Sequence, residues 1–111
     1  MITHETENYI ILHPNFKIFT AKAVEEVCDF LQNTASSKDV AIDMGNVYSI
    51  STEFLTMISS LDKKLALLNC CAEVLVLLNI TNSDKNVKIF TNKLDLEEDK
   101  RELRNRKFAL V

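Results

Sequence analysis

The chain has 111 residues, 47% of them hydrophobic, with one Gly, one Pro, no Trp and a formal net charge of −3. That length suits one domain with a core of its own, and that hydrophobic share excludes a disordered chain. The mildly acidic balance supplies no basic stripe for nucleic acid, and no apolar run approaches the ~20 residues of a membrane span.

Three cysteines occur, Cys28, Cys70 and Cys71. An odd count with one vicinal pair and no Cys-x-x-Cys suits neither a disulfide framework nor a zinc site. They read as small apolar residues in a reducing compartment. The N-terminus has no basic stretch followed by an apolar one, so no signal peptide is expected. The expectation is a soluble, cytoplasmic protein without direct membrane insertion, built as one domain over residues 1–111.

In chain order, Tyr9–Leu12 reads as the first strand, closed by His13-Pro14-Asn15, because Pro14 cannot donate to a ladder. His4 falls in a segment expected to be loose. Phe16–Phe19 reads as a second strand, and Thr20 as the N-cap of a helix. In that helix Val24, Val27, Cys28 and Leu31 stand at i, i+3, i+4 and i+7, with Lys22, Glu25, Glu26 and Asp29 opposite. The polar run 33–37 ends it. Val40–Met44 is short, apolar and bounded by turn residues, the pattern of a buried parallel strand. Gly45-Asn46 interrupts it, and 47–50 leads onward.

A second helix is expected from about Ser51 to Asn69. Phe54, Met57, Ile58, Leu61, Leu65 and Leu68 form its apolar stripe, with Thr52, Thr56, Ser59 and Lys63 on the opposite face. Thr52 is therefore expected at an exposed helix start. Val74–Ile80 reads as another buried strand, and Asn82-Ser83-Asp84 as the cap of a short helix carrying Val87, Ile89 and Phe90. Glu97 with Arg101 and Glu102 with Arg106 are i,i+4 pairs that suggest a terminal helix, edged by Leu96, Leu103 and Leu110. Lys100 to Lys107 is a basic cluster interleaved with acids, read as a solvated helix face. Strands alternating with helices imply an α/β domain with a small, mainly parallel sheet of about four strands.

Catalytic chemistry finds little support. His4 and His13 are the only histidines, and neither stands in a Cys or carboxylate pattern that makes a metal site or an activated nucleophile. A single Gly excludes a Gly-rich phosphate loop. Adjacent acids such as Glu25-Glu26 and Glu97-Glu98 read as solvated faces. Asp43 closes a buried strand, where open α/β sheets place their sites, but a carboxylate taking loop N–H bonds explains it equally well. No enzyme, metal or cofactor is expected.

The run from Val40 to Leu55, and within it Ser49-Ile50-Ser51-Thr52-Glu53-Phe54-Leu55, resembles the central signature of STAS domains, the family of anti-sigma factor antagonists and stressosome subunits. Phe16–Ala21 with Val24 resembles the family's Leu-Asp-x-x-Thr-Ala stretch, and Val87, Ile89, Phe90, Leu94 and Asp95 resemble its closing segment. The resemblance covers about residues 9–96. It places the family's phosphorylated Ser or Thr on Thr52, with Ser51 one residue away as the alternative. Ser51 and Lys17 stand where the family carries acids, and Phe54 where many members have Gly.

The resemblance implies a STAS-like fold and a regulatory protein–protein interaction module in transcription control, bound through Ser51, Thr52, Glu53, Thr56, Ser59 and Lys63. The implied partner is a serine/threonine kinase of the anti-sigma type or another regulatory protein, and homo-oligomers are compatible with it. The alternative is a cytoplasmic accessory subunit of a lipid-transport ABC-type membrane complex.

Overall fold

The computed structural model describes residues 2–34 and 37–98. Their order is β1 (Ile2–Glu5), β2 (Tyr9–His13), β3 (Ile18–Phe19), α1 (Ala21–Asn33), β4 (Asp39–Asp43), β5 (Ser49–Ile50), α2 (Thr52–Ser60), β6 (Leu65–Leu68), α3 (Ala72–Ile80), a 3-10 turn (Asp84–Asn86), β7 (Val87–Phe90) and α4 (Lys93–Glu97). The main sheet has five strands in the order β1-β2-β4-β6-β7, while β3 and β5 form a separate two-stranded ribbon. Strand β1 is antiparallel to β2; every other pairing is parallel. Among the described residues no helix is long and apolar enough to cross a membrane.

From β2 onward each crossover moves one strand in the same direction. Crossovers of one hand that all step the same way must lay their helices on the same face. Val24, Val27, Phe54, Met57, Ile58, Val74 and Leu78 of α1, α2 and α3 accordingly share one core with Ile10, Leu12, Val40, Ile42, Leu65, Leu67, Val87 and Ile89. The alternate strand positions, Tyr9, Ile11, Ala41, Ala66, Leu68 and Phe90, turn to the other face and meet Leu96 of α4. Two-sided burial explains why β4 and β6 read as unbroken apolar runs.

The expected start of α1 is found: Thr20 is the N-cap and its Oγ1 accepts the Ala23 N–H at 3.3 Å. Four expectations need correction. Among the described residues the sheet has five strands rather than about four, because residues 2–5 form edge strand β1 on β2, with His4 opposite Ile11. That segment was expected to be loose.

The second helix stops at Ser60, where Leu61 turns extended (φ −77, ψ 140), and Leu65–Leu68 is strand β6. Leu65 and Leu68 continue the helical spacing by coincidence, since a short apolar run carries no period of its own. Ser59 and Ser60 donate their hydroxyls to the carbonyls of Thr56 and Met57 (2.8 and 3.0 Å).

Val74–Ile80 belongs to helix α3, which must cross from β6 to the parallel strand β7. Asn82-Ser83 ends that helix. Ser83 is also the N-cap position of the 3-10 turn Asp84–Asn86, so a short helical turn does begin there but stops before Val87. Asn82 is left-handed (φ 58), its N–H donates to Asn79 O (3.0 Å), and the Ser83 N–H donates to Leu78 O (2.8 Å). These paired bonds are a Schellman C-cap, for which Asn is a favoured residue after Gly. Val87, Ile89 and Phe90 accordingly lie on strand β7. The terminal helix expected after residue 98 and the basic cluster 100–107 lie outside the described residues.

Candidate functional site

The loop between β4 and α2 is pinned from below. Met44 and Val47 are fully buried; the Met44 N–H donates to Leu68 O (2.8 Å), and the Val47 N–H donates to Met44 O (2.9 Å). Asp43 closes the turn: its Oδ1 accepts the Gly45 N–H (3.0 Å) and the Asn69 amide (3.1 Å). A Cβ on residue 45 would stand 3.1 Å from that Oδ1 and 3.7 Å from the Asn69 Cβ, so the close approach favours Gly. The other oxygen, Oδ2, meets His13 Nδ1 at 3.3 Å.

Sequence reasoning missed this His–Asp pair. The signal was the strand register: Leu12 is opposite Ile42, so the next residues, His13 and Asp43, emerge side by side at the sheet's C-terminal edge. Burial, then Cys71 and Asp43, push the neighbouring Cys70 thiol up to about 12. Such a thiol is protonated at neutral pH and a poor nucleophile. Among the described residues no group of three or more His, Cys, Asp or Glu side chains is placed to hold a metal ion.

Beyond that loop the β3–β5 ribbon delivers the chain to α2. The Tyr48 N–H donates to Lys17 O (2.8 Å) and the Ser51 N–H to Phe19 O (3.1 Å). Ser51 is the N-cap, half-buried, and its Oγ accepts the Phe54 N–H at 3.2 Å. Phe54 is fully buried, with its ring 4.6 Å from that of Phe19, and it anchors the first turn. Thr52 and Glu53 are exposed in that turn, and Thr56 and Ser59 continue the exposed face at i+4 and i+7 from Thr52. Thr52, Thr56 and Ser59 form one wall of an open groove of about 370 Å³, with Asn82, Lys85 and Asn86 on the other.

Lys63 does not join them. It follows the end of α2 and lies 3.7 Å from Asp39. Of the six expected contact residues Thr52, Thr56 and Ser59 line the groove, while Ser51 caps the helix and Glu53 is exposed outside the lining. Sequence reasoning also missed the opposite wall of the groove, because Asn82–Asn86 reaches α2 only through the placement of α3.

The protein TM1081, solved by NMR, has a similar architecture: the TM-score is 0.67 over 90% of this chain and 87% of that one, at 23% identity. At that identity the likeness concerns the fold, an α/β domain with a mainly parallel sheet. No family model matches the chain, and no curated protein matches it.

Proposed function

We propose that the chain is a STAS-type regulatory protein-binding module, similar to an anti-sigma factor antagonist, in which the exposed start of α2 docks a protein partner and phosphorylation of Thr52 controls that docking. The observation that carries this reading is the contrast between two adjacent hydroxyls. Ser51 Oγ is committed to the helix cap, whereas Thr52 is exposed on an open groove. A kinase needs the second kind.

A phosphate on Thr52 would add about −1.5 to −2 charges. The free N–H groups of the first turn of α2 favour an exposed anion by roughly 0.3–1 kcal/mol. Repulsion from Glu53 is of similar size, on the order of 1 kcal/mol at ~6 Å in water-like dielectric. The two nearly cancel, so the phosphate should leave folding almost unchanged. Against a docked partner it would have to be desolvated, at a cost of several kcal/mol unless a cation pairs with it. Association, rather than stability, is therefore the quantity it governs.

The test is to incubate the protein and its Ser51→Ala and Thr52→Ala variants with a serine/threonine kinase of the anti-sigma type, and to map phosphosites by mass spectrometry. Phosphate on Thr52 in the wild type and in Ser51→Ala, and none in Thr52→Ala, is expected. Phosphate on Ser51 alone, or on neither residue, would refute the assignment.

A further inference from the structure

Helix α3 is apolar nearly all round, Ala-Glu-Val-Leu-Val-Leu-Leu-Asn-Ile, yet only Val74 and Leu78 are fully buried. Val76 is 56% exposed and Ile80 70%, and Tyr48 beside β5 is 57% exposed. These three side chains, with Ile50 and Leu77, line an open groove of about 520 Å³ between β5 and α3. Exposed apolar side chains gathered in a groove, rather than scattered singly, mark an interaction surface.

The groove has a direction. Cys71, the N-cap of α3, lies against the carbonyl of Val47, its Sγ 3.5 Å from that oxygen, so the start of α3 sits beside the chain entering β5. At the far end Ile80 is followed directly by Thr81 and Asn82, which line the Thr52 groove. The two grooves therefore adjoin along α3.

Charge differs at the two ends. Glu73 lines the apolar groove at the start of α3. Its carboxyl is held below the usual range by its own backbone N–H and by Cys71. Lys85 is the one charged side chain among the described residues lining the polar groove.

We propose that the two adjoining grooves form one docking channel for an extended segment of a partner protein, with apolar side chains seated on Val76 and Ile80 and a carboxylate facing Lys85. Charge complementarity selects this occupant. Lys85 is the one charge among the described residues lining the polar end, and Glu53 lies outside that lining, so a carboxylate seated against Lys85 is attracted and a basic group repelled. The nine residues of α3 span roughly 13 Å, which about four extended residues cover. The inference rests on the proposed role of the α2 face and supplies the sign of the switch. A phosphate on Thr52 would turn the Lys85 end from positive to negative and expel an acidic occupant.

The experiment uses the unmodified protein and two synthetic peptides: a short leucine-rich peptide ending in glutamates, and its counterpart ending in lysines. Binding is followed by NMR shifts of the Val76, Leu77, Ile80 and Lys85 signals. The glutamate peptide should bind about tenfold tighter than the lysine peptide, a difference of roughly 1.4 kcal/mol. Lys85→Glu should reverse that order, and Ile80→Ser, at an exposed position, should weaken both peptides while leaving the fold intact. Equal affinity of the two peptides, indifference to Lys85→Glu, or shifts confined to other surfaces would overturn the proposal. So would shifts of Val76 and Ile80 that depend on protein concentration without peptide, which would assign the groove to a second copy. A negative peptide result would leave the Thr52 phosphosite map standing, and absence of phosphate on Thr52 would leave a positive peptide result standing.

Discussion

Cys70 sits at the C-terminal edge of the parallel sheet, the place where open α/β folds commonly put reactive groups, and its surroundings suppress reactivity. Burial raises its thiol from 9.0 to about 12, and Cys71 and Asp43 act in the same direction. Between those two values the folded state holds a proton that the unfolded state releases. Its contribution to stability is therefore complete below about pH 9 and is lost as pH rises toward 12. Cys70 is half-buried, so its raised pKa is what slows it: at pH 8 iodoacetamide should label it more slowly in the native protein than in denaturant. Equal labelling of Cys70 in native and denatured protein would contradict the raised pKa.

Phe54 belongs to the same scale. It is fully enclosed against Phe19, so Phe54→Ala should cost about 3–5 kcal/mol in urea melts. A loss below about 1 kcal/mol would place the ring at the surface rather than in the core.

At the scale of elements, the chain is governed by its caps. Thr20 and Ser51 open α1 and α2 with side-chain oxygens, whereas Cys71 makes no side-chain cap bond at α3. Glu73 takes a backbone N–H there instead, which is why its pKa falls; as pH drops through that lowered value the contribution disappears. The far end of α3 depends on Asn82 in the left-handed region. Asn82→Gly should be neutral or stabilising, while Asn82→Ala should lower stability by about 1 kcal/mol, since Ala meets the Cβ penalty there. Thermal melts of the two variants check this, and equal melting temperatures would argue against the Schellman geometry.

The same cap shows where sequence reading succeeds and fails. Thr20 and Ser51 precede segments with a clear helical period, so the starts of α1 and α2 and the burial of Phe54 were legible. Helix α3 has apolar residues on every side and hence no period to read, and Asn82-Ser83-Asp84 suits a helix start as well as a helix end. Only the need to step from β6 to β7 decides. Edge strand β1 was illegible for another reason: all four of its residues are exposed, so burial leaves no alternation in them.

At the scale of the whole molecule, three crossovers stepping one way put α1, α2 and α3 on a single face of the sheet. This layer brings the start of α2 beside the end of α3, although Thr52 and Lys85 are far apart in sequence. The exposed half of the candidate site, Thr52, Thr56 and Ser59, could be read from periodicity within α2. Its other half, Asn82 to Asn86 and the apolar face of α3, depends on that layer and could not. The layer also explains the misplacement of Lys63, which follows the turn out of α2 rather than continuing its exposed face.

The central claim is that phosphate on Thr52 acts on association and not on folding. It is tested most directly by titrating a partner that co-purifies with the protein against unmodified and stoichiometrically phosphorylated forms, with urea unfolding of each form run alongside. The account predicts an affinity loss of at least about tenfold, equivalent to about 1.4 kcal/mol, with unfolding free energies equal to within about 0.5 kcal/mol. Unchanged affinity on phosphorylation, or a loss matched by an equal loss of stability, would contradict it.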